Sequence, residues 1–290
     1  GLNLLGSICE NELIEKLLDA DMYIYTSHQD NSPNSICEAQ ILGVGEVAAS
    51  SKEVEFRHIP TQDELKISDN AAYLHICNNN TIYGTEYHYI PDTKGIPLIA
   101  DMSSDMLSRT MDFKKFDLIY AGVQKNLGPA GCVLVVAKKS MVEKSPENLP
   151  TMFRYDTFYS KDSLYNTPPA FCIYMVGKVA AWIKSQGGLA VMEERNKKKA
   201  SLVYDAIDNS NGFYKGHADK DSRSFMNVTF RLPSEELEKK FVAEALECKL
   251  GGVKGHRSVG GMRTSIYNAM PYEGCEALVD FMEKFRKANA

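Results

Sequence analysis

One stretch limits the possible folds more than any other: Ile96 to Pro129, reading IPLIADMSSDMLSRTMDFKKFDLIYAGVQKNLGP. It holds two apolar runs, Ile96–Ala100 and Asp117–Ala121, each bounded by polar residues or glycine. Runs of about five residues without polar alternation are the pattern of parallel strands covered on both faces. The first run ends on Asp101, and the second leads into Gln124-Lys125-Asn126. Functional side chains in α/β sheets gather at the carboxyl ends of the strands. The spacing therefore predicts an acid and a lysine facing one crevice.

Such a pair suits pyridoxal phosphate (PLP). That cofactor needs a lysine amine to attach its aldehyde, and a carboxylate on its pyridine nitrogen so that the protonated ring can draw in electrons. Spacing alone also allows a plainer reading. Asp101 would then cap a helix beginning DMSSDML, and Lys125 would be a surface charge.

The wider text bears on that choice. DMSSD, AGVQKNLGPAG, SLYNTPP and KGHRSVGGMR occur in this order. Together they closely resemble the phosphoserine aminotransferases, a class V family of fold-type I PLP enzymes, from about Val47 to the C-terminus. The resemblance implies an α/β PLP-transferase fold of type I: a mostly parallel sheet flanked by helices, with a smaller C-terminal α+β domain. It implies a large PLP-binding domain over 1–190, incomplete at its N-terminus relative to the family, and a small domain over 191–290.

The same resemblance assigns roles. Lys125 and Asp101 are the catalytic pair. Thr81, in the NNNTIYG segment, hydrogen-bonds the cofactor near its phenolic oxygen, and Gln124 hydrogen-bonds its phosphate. Asn166 and Thr167 reach across a homodimer interface to the partner's cofactor phosphate. Arg263 clamps the substrate α-carboxylate, while His256 and Arg257 bind its phosphate or the side-chain carboxylate of glutamate. Arginine suits that work because its planar fork matches carboxylate and phosphate oxygens two at a time. The implied reaction moves an amino group from L-glutamate to 3-phosphohydroxypyruvate, giving O-phospho-L-serine and 2-oxoglutarate. Read without the family, NNNTIYG is a polar turn, SLYNTPP a proline-bearing connection and KGHRSVGGMR a basic loop.

The N-terminal part departs from the family. Leu2-Asn3-Leu4-Leu5 matches a segment that members carry well inside the chain. The Gly-rich phosphate loop and the His-Arg pair that precede it in the family have no counterpart here. The ring-stacking tryptophan position falls near Asp30 and Asn31, and the only tryptophan is Trp182. His28 is a possible substitute or a plain surface histidine. A non-catalytic or truncated relative with weak PLP binding therefore stays open, as does another class V aminotransferase. A desulfurase fits less well, because no catalytic cysteine loop is evident.

Composition narrows the rest. A chain of 290 residues can bury one large core or two domains, and 44% apolar with 24% charged residues is ordinary for a globular protein. A net charge of −5 and a pI near 5.8 argue against nucleic-acid partners. No apolar run approaches the ~18 residues of a membrane span. The start GLNLLGSICENELIEKLL lacks the basic and apolar regions of a signal peptide. Seven scattered cysteines without a CxxC or Cys/His cluster read as reduced thiols of a cytoplasmic protein, and no metal site is expected.

Along the chain, helices are expected at Glu10–Ala20 and Ile36–Leu42, a strand at Met22–Thr26 and a loop at Ser27–Ser35. EVAASSKE reads as strand and turn, and HIPTQDELKISDNAAYLHIC as a helix and a strand. Cys132–Ala137 reads as a third buried strand beside the first two. Helices follow at Phe171–Ser185, ended by Gly187-Gly188, and over Gly188–Ile207. The last part alternates a strand at Phe225–Arg231, a helix at Ser234–Cys248 with Ser234 as N-cap, a strand at Met262–Tyr267 and an amphipathic helix at Tyr272–Ala288.

Overall fold

The computed structural model describes residues 46–290. The features expected at Glu10–Ala20, Met22–Thr26, Ser27–Ser35 and Ile36–Leu42, with His28, lie outside the described residues.

Both runs of the key stretch are strands. β1 (Leu74–Cys77), β4 (Leu98–Asp101) and β5 (Leu118–Gly122) pair in parallel, with β4 in the middle. Leu98, Ala100, Ile119 and Ala121 are buried on one face and Ile99 and Leu118 on the other, so this part of the sheet is covered on both faces as the uninterrupted apolar runs require. Between β1 and β4 lies a two-stranded hairpin of β2 (Asn79–Asn80) and β3 (Thr85–Glu86).

β6 (Val133–Ala137) corrects the expectation of a third buried strand. Among the described residues it runs antiparallel to β5 at the sheet's edge, and Val133, Val135 and Val136 are 38–48% exposed. A five-residue apolar run does not reveal whether a strand has one neighbour or two. EVAASSKE forms a bend and a short 3-10 turn rather than a strand. The helix expected in HIPTQDELKIS shortens to the 3-10 turn Gln62–Glu64, held by a Thr61/Glu64 capping box. The short helices α1 (Lys139–Val142) and α2 (Tyr155–Tyr159) follow β6.

The two long helices form as the sequence predicts. α3 spans Ala170–Ser185 and α4 spans Leu189–Asp208, separated by Gly187 and Gly188, both at positive φ. The C-terminal third builds a second core on a three-stranded antiparallel sheet of β7 (Lys215–Gly216), β8 (Asn227–Arg231) and β9 (Met262–Ser265), with β8 central. α4, α5 (Glu235–Glu247) and α6 (Tyr272–Asn289) contribute Val203, Phe241, Phe281 and Met282 to that core. Each such side chain contributes roughly 1.5–3 kcal/mol on burial. Ser234 caps α5 as expected, its Oγ accepting from Leu237 N at 3.3 Å.

Polar contacts stitch this core to the first. Asn79 Nδ2 donates to Asn227 Oδ1 at 2.9 Å, and Thr229 Oγ1 donates to Tyr83 O at 2.7 Å. Gly84 closes the seam. Its φ is +72°, and a Cβ placed there would lie 2.6 Å from Asn227 O. No other residue type fits that approach without displacing backbone.

Candidate active site

Parallel pairing puts the carboxyl ends of β1, β4 and β5 on one edge. Cys77 lies beside Asp101, and Asp101 beside Tyr120. The chain then turns through residues 123–131, with Leu127 N and Gly128 N both donating to Val123 O. Lys125 sits in that turn.

Asp101 starts no α-helix. Residues 103–107 form turns, and Ser103 and Ser104 bond to neighbouring strands. Asp101 Oδ1 accepts from Ser103 N at 2.8 Å, and Ser103 Oγ accepts from Gly122 N at 2.9 Å. Ser104 Oγ donates to Asn79 O at 2.8 Å. The acid is thus fixed in direction at the strand end, and the ends of β4 and β5 are tied together.

The NNNTIYG turn supplies the next group. Asn80 Oδ1 accepts from Ile82 N and Tyr83 N at 3.0 and 3.2 Å, an Asx-type fold that carries Thr81 inward. Lys125 Nζ donates to Thr81 Oγ1 at 2.9 Å. Arg263, on β9, donates from Nη1 to Thr81 O at 3.4 Å. Lys125, Thr81 and Arg263 therefore form one connected group, drawn from both cores.

Burial pushes the Lys125 amine below the ordinary lysine range; Asp101 and then Cys77 oppose this, and the Arg263 charge adds to it. Burial raises the Cys77 thiol, and the Asp101 charge raises it further. His75 is pushed down by burial against the pull of Asp101, with its Nε2 3.0 Å from Tyr120 Oη. Asp105 is pushed up to about 7 by burial and by Glu86, with Arg109 opposing. Asn78 joins the two acids: its backbone N donates to Asp101 O at 2.9 Å, and its side-chain amide donates to Asp105 Oδ2. Arg109 Nε stands 3.1 Å from Glu86 Oε1 in a buried ion pair.

A second buried network lies behind the lysine. Asn126 Oδ1 accepts from Asn268 N at 3.0 Å, and Asn126 Nδ2 donates to Met106 O at 2.7 Å. Asn196 Nδ2 donates to Asn268 Oδ1 at 2.7 Å and to Ser108 O at 2.8 Å. Lys199 is fully buried and donates to Ile266 O, Tyr267 O and Met270 O at 2.9, 2.7 and 3.1 Å. The segment after β9 is therefore pinned directly behind Lys125.

Comparison with known proteins places the chain in a family. The class-V aminotransferase family model matches residues 13–278. The phosphoserine aminotransferase of Niallia circulans is 56% identical over 252 residues, which cover 87% of this chain and 70% of that protein. That of Desulfatibacillum aliphaticivorans is 58% identical over 260 residues, covering 89% and 71%. The chain belongs to the phosphoserine aminotransferase family. Among solved members, the enzyme from Bacillus circulans subsp. alkalophilus superposes with a TM-score of 0.86 at 55% identity, covering 88% of this chain and 71% of that one. The PLP-bound enzyme from Trichomonas vaginalis gives 0.81 at 38% identity, covering 86% and 71%.

The remaining positions expected of a phosphoserine aminotransferase sit further out. Gln124 is exposed on the lysine turn. Asn166 and Thr167 are exposed on the connection before α3. His256 and Arg257 occupy the loop before β9, where His256 Nδ1 pairs with Ser258 Oγ at 2.6 Å and Arg257 is exposed. Gly255 lets this loop fold tightly, since a Cβ there would stand 2.0 Å from Gly260 O. Sequence reading missed Asn78, Asp105, Asn126 and Asn268. Of these only Asn126, directly after the lysine, had a position that could have drawn attention.

Proposed function

We propose that this chain is a PLP-dependent transaminase that carries the amino group of L-glutamate to 3-phosphohydroxypyruvate, releasing O-phospho-L-serine and 2-oxoglutarate. The observation that carries this is the joining of Lys125, Thr81 and Arg263 beside Asp101, within a family whose members are phosphoserine aminotransferases. The donor set fits PLP: a half-buried amine with loosened proton, a carboxylate held in direction by Ser103 N, and a hydroxyl and an arginine within the same group.

PLP, when bound, supplies an aldehyde for amine exchange and a ring that draws in the electrons left when the substrate loses its α-proton. Lys125 would hold the aldehyde, and its amine, once free and neutral, would take the proton from the substrate α-carbon. Its depressed proton affinity makes that neutral form available at lower pH than in an exposed lysine. Asp101 would hold the proton on the pyridine nitrogen. Thr81 would steady the phenolic oxygen, and Gln124 the phosphate. Arg263 holds the substrate α-carboxylate near the Lys125 amine. His256 and Arg257 take the phosphate in one half-reaction and the distal carboxylate of glutamate in the other.

We assign the PLP-binding part to 1–190 and the smaller part to 191–290, a division supported by two separate apolar cores. Exposed Asn166 and Thr167 fit a homodimer in which each subunit completes its partner's phosphate site. Acidic composition supports small-molecule substrates rather than nucleic acid, and no helix among the described residues is long and apolar enough to cross a membrane. Scattered cysteines without a disulfide framework among the described residues support a cytoplasmic setting.

Borohydride reduction of the PLP-loaded protein should fix a mass adduct on the Lys125 peptide, and Lys125→Ala should lose both adduct and turnover. An adduct that persists on another lysine refutes the assignment. Arg257→Ala should raise KM for 3-phosphohydroxypyruvate by roughly 10–100-fold, the weight of one charge-assisted contact, while PLP content stays unchanged. Unaltered kinetics would remove Arg257 from the receptor.

A further inference from the structure

Two thiols that the amino-transfer chemistry does not use stand together beside the lysine turn. Cys132 immediately precedes β6, and Cys172 lies in the first turn of α3. Their sulfurs are 3.0 Å apart. Cys172 Sγ also donates to Pro129 O at 3.1 Å, so the Cys132 thiol is left to donate to the Cys172 sulfur. The backbones already approach closely here: a Cβ on Gly131 would meet the Cys172 Cβ at 3.6 Å. A disulfide needs sulfurs about 2.05 Å apart, so closure asks for a shift of about one ångström. Cys248 and Cys275 show no such approach; Cys248 is exposed and Cys275 is buried in the other core.

We propose that Cys132 and Cys172 are an oxidative modification site, closed by a hydroperoxide to an internal disulfide that ties the turn following Lys125 to the start of α3. Cys132 reacts first, because it is half-buried whereas Cys172 is only 4% exposed. Its thiolate sulfur attacks the distal peroxide oxygen. The O–O bond breaks, one water leaves when the peroxide is hydrogen peroxide, and a sulfenic acid remains on Cys132. The Cys172 sulfur then attacks the Cys132 sulfur. The S–O bond breaks, and the hydroxide leaves as a second water with the Cys172 proton. Two thiols have lost two electrons and two protons, and one peroxide has taken them up.

Chemistry sets the tempo of the two steps. Burial and the adjoining Cys172 thiol push Cys132 up to about 11. Little thiolate is present near neutrality, so the first step is slow and quickens as pH rises. The second step is fast, because its partner is already in contact. No sulfenic acid should therefore accumulate on Cys132.

The test uses the full chain, loaded with PLP, treated with hydrogen peroxide at mildly alkaline pH, alkylated while unfolded, and digested without reductant. The expected product is a peptide pair joining Cys132 to Cys172, lighter by two hydrogens and released by dithiothreitol. Its yield should be the same in Cys248→Ser. The oxidised protein should melt several degrees above the reduced one, as a cross-link that restricts the unfolded chain predicts. Cys132→Ser and Cys172→Ser should each abolish the shift. The proposal fails if Cys132 and Cys172 are both alkylated in full after Cys248 has been oxidised. It also fails if Cys132 accumulates as a sulfinic acid with Cys172 still free. Mapping on the unmutated chain decides the matter even if a serine variant folds poorly.

Discussion

At the scale of single residues, the electrostatics of the site reach one layer deeper than the proposed catalytic pair. Asp105 faces Asn78, Glu86, Arg109 and, more distantly, Asp101. Burial moves its carboxyl from the ordinary 3.8 to about 7. Between those values the folded chain keeps a proton that the unfolded chain has released. By linkage, stability from this group is greatest below the ordinary value and falls as pH rises through about 7. Asp105→Asn should flatten that fall, measured as the urea midpoint against pH. An unchanged slope would show that another group, such as buried Glu86, carries it. Asp101 and Lys125, the proposed catalytic pair, were legible in the sequence because each follows a short apolar run. Asp105 and Asn78 were not, because a buried polar pair is defined by the partner it meets, and that partner lies far along the chain.

Among elements, what the sequence conveys is period and punctuation. α5 was legible down to its cap, since Ser234 precedes two glutamates and a clear apolar face. β4 and β5 were legible as buried strands. β6 was not, because its apolar text is the same for an edge strand as for a central one. The DMSSDML segment offered helix-capping residues, yet its serines bond to β5 and to the hairpin instead. Side-chain competition for backbone partners explains that outcome. The loop after β9 is the element whose importance the sequence hid. Asn268 ties it to Asn126, beside the lysine, to Asn196 and, through Nδ2, to Leu107 O at 2.9 Å. Asn268→Ala keeps its backbone bond to Asn126 but takes the side-chain donor from Leu107 O and leaves Asn196 Nδ2 with Ser108 O alone, at a cost of roughly 1–3 kcal/mol. It should also raise KM for L-glutamate and for 3-phosphohydroxypyruvate, because Arg263 leads into this loop. A melting shift with unaltered KM would make Asn268 purely structural.

Taken whole, the described residues build two large apolar cores, with a small cluster of Ile99, Leu118 and Met141 behind the first sheet, and the proposed reactive group is assembled from both large cores. Lys125 and Thr81 come from the first, Arg263 from the second. Exposed Phe171, Ile173 and Tyr174 on α3 and the valines of β6 form apolar surface near the lysine turn, consistent with the proposed two-chain assembly. The stitching between cores has little slack at one point. Asn227 O and Thr229 Oγ1 would lie 2.6 and 2.9 Å from any Cβ on residue 84, and φ there is +72°. Gly84→Ala would act as a wedge, prising the arginine side of the site away from the amine side. Its expected signature is a weaker hold on substrate carboxylates, read as a rise in KM, with PLP still attached to Lys125. Catalytic alignment in this chain is thus set partly by a hydrogen atom where every other amino acid carries carbon.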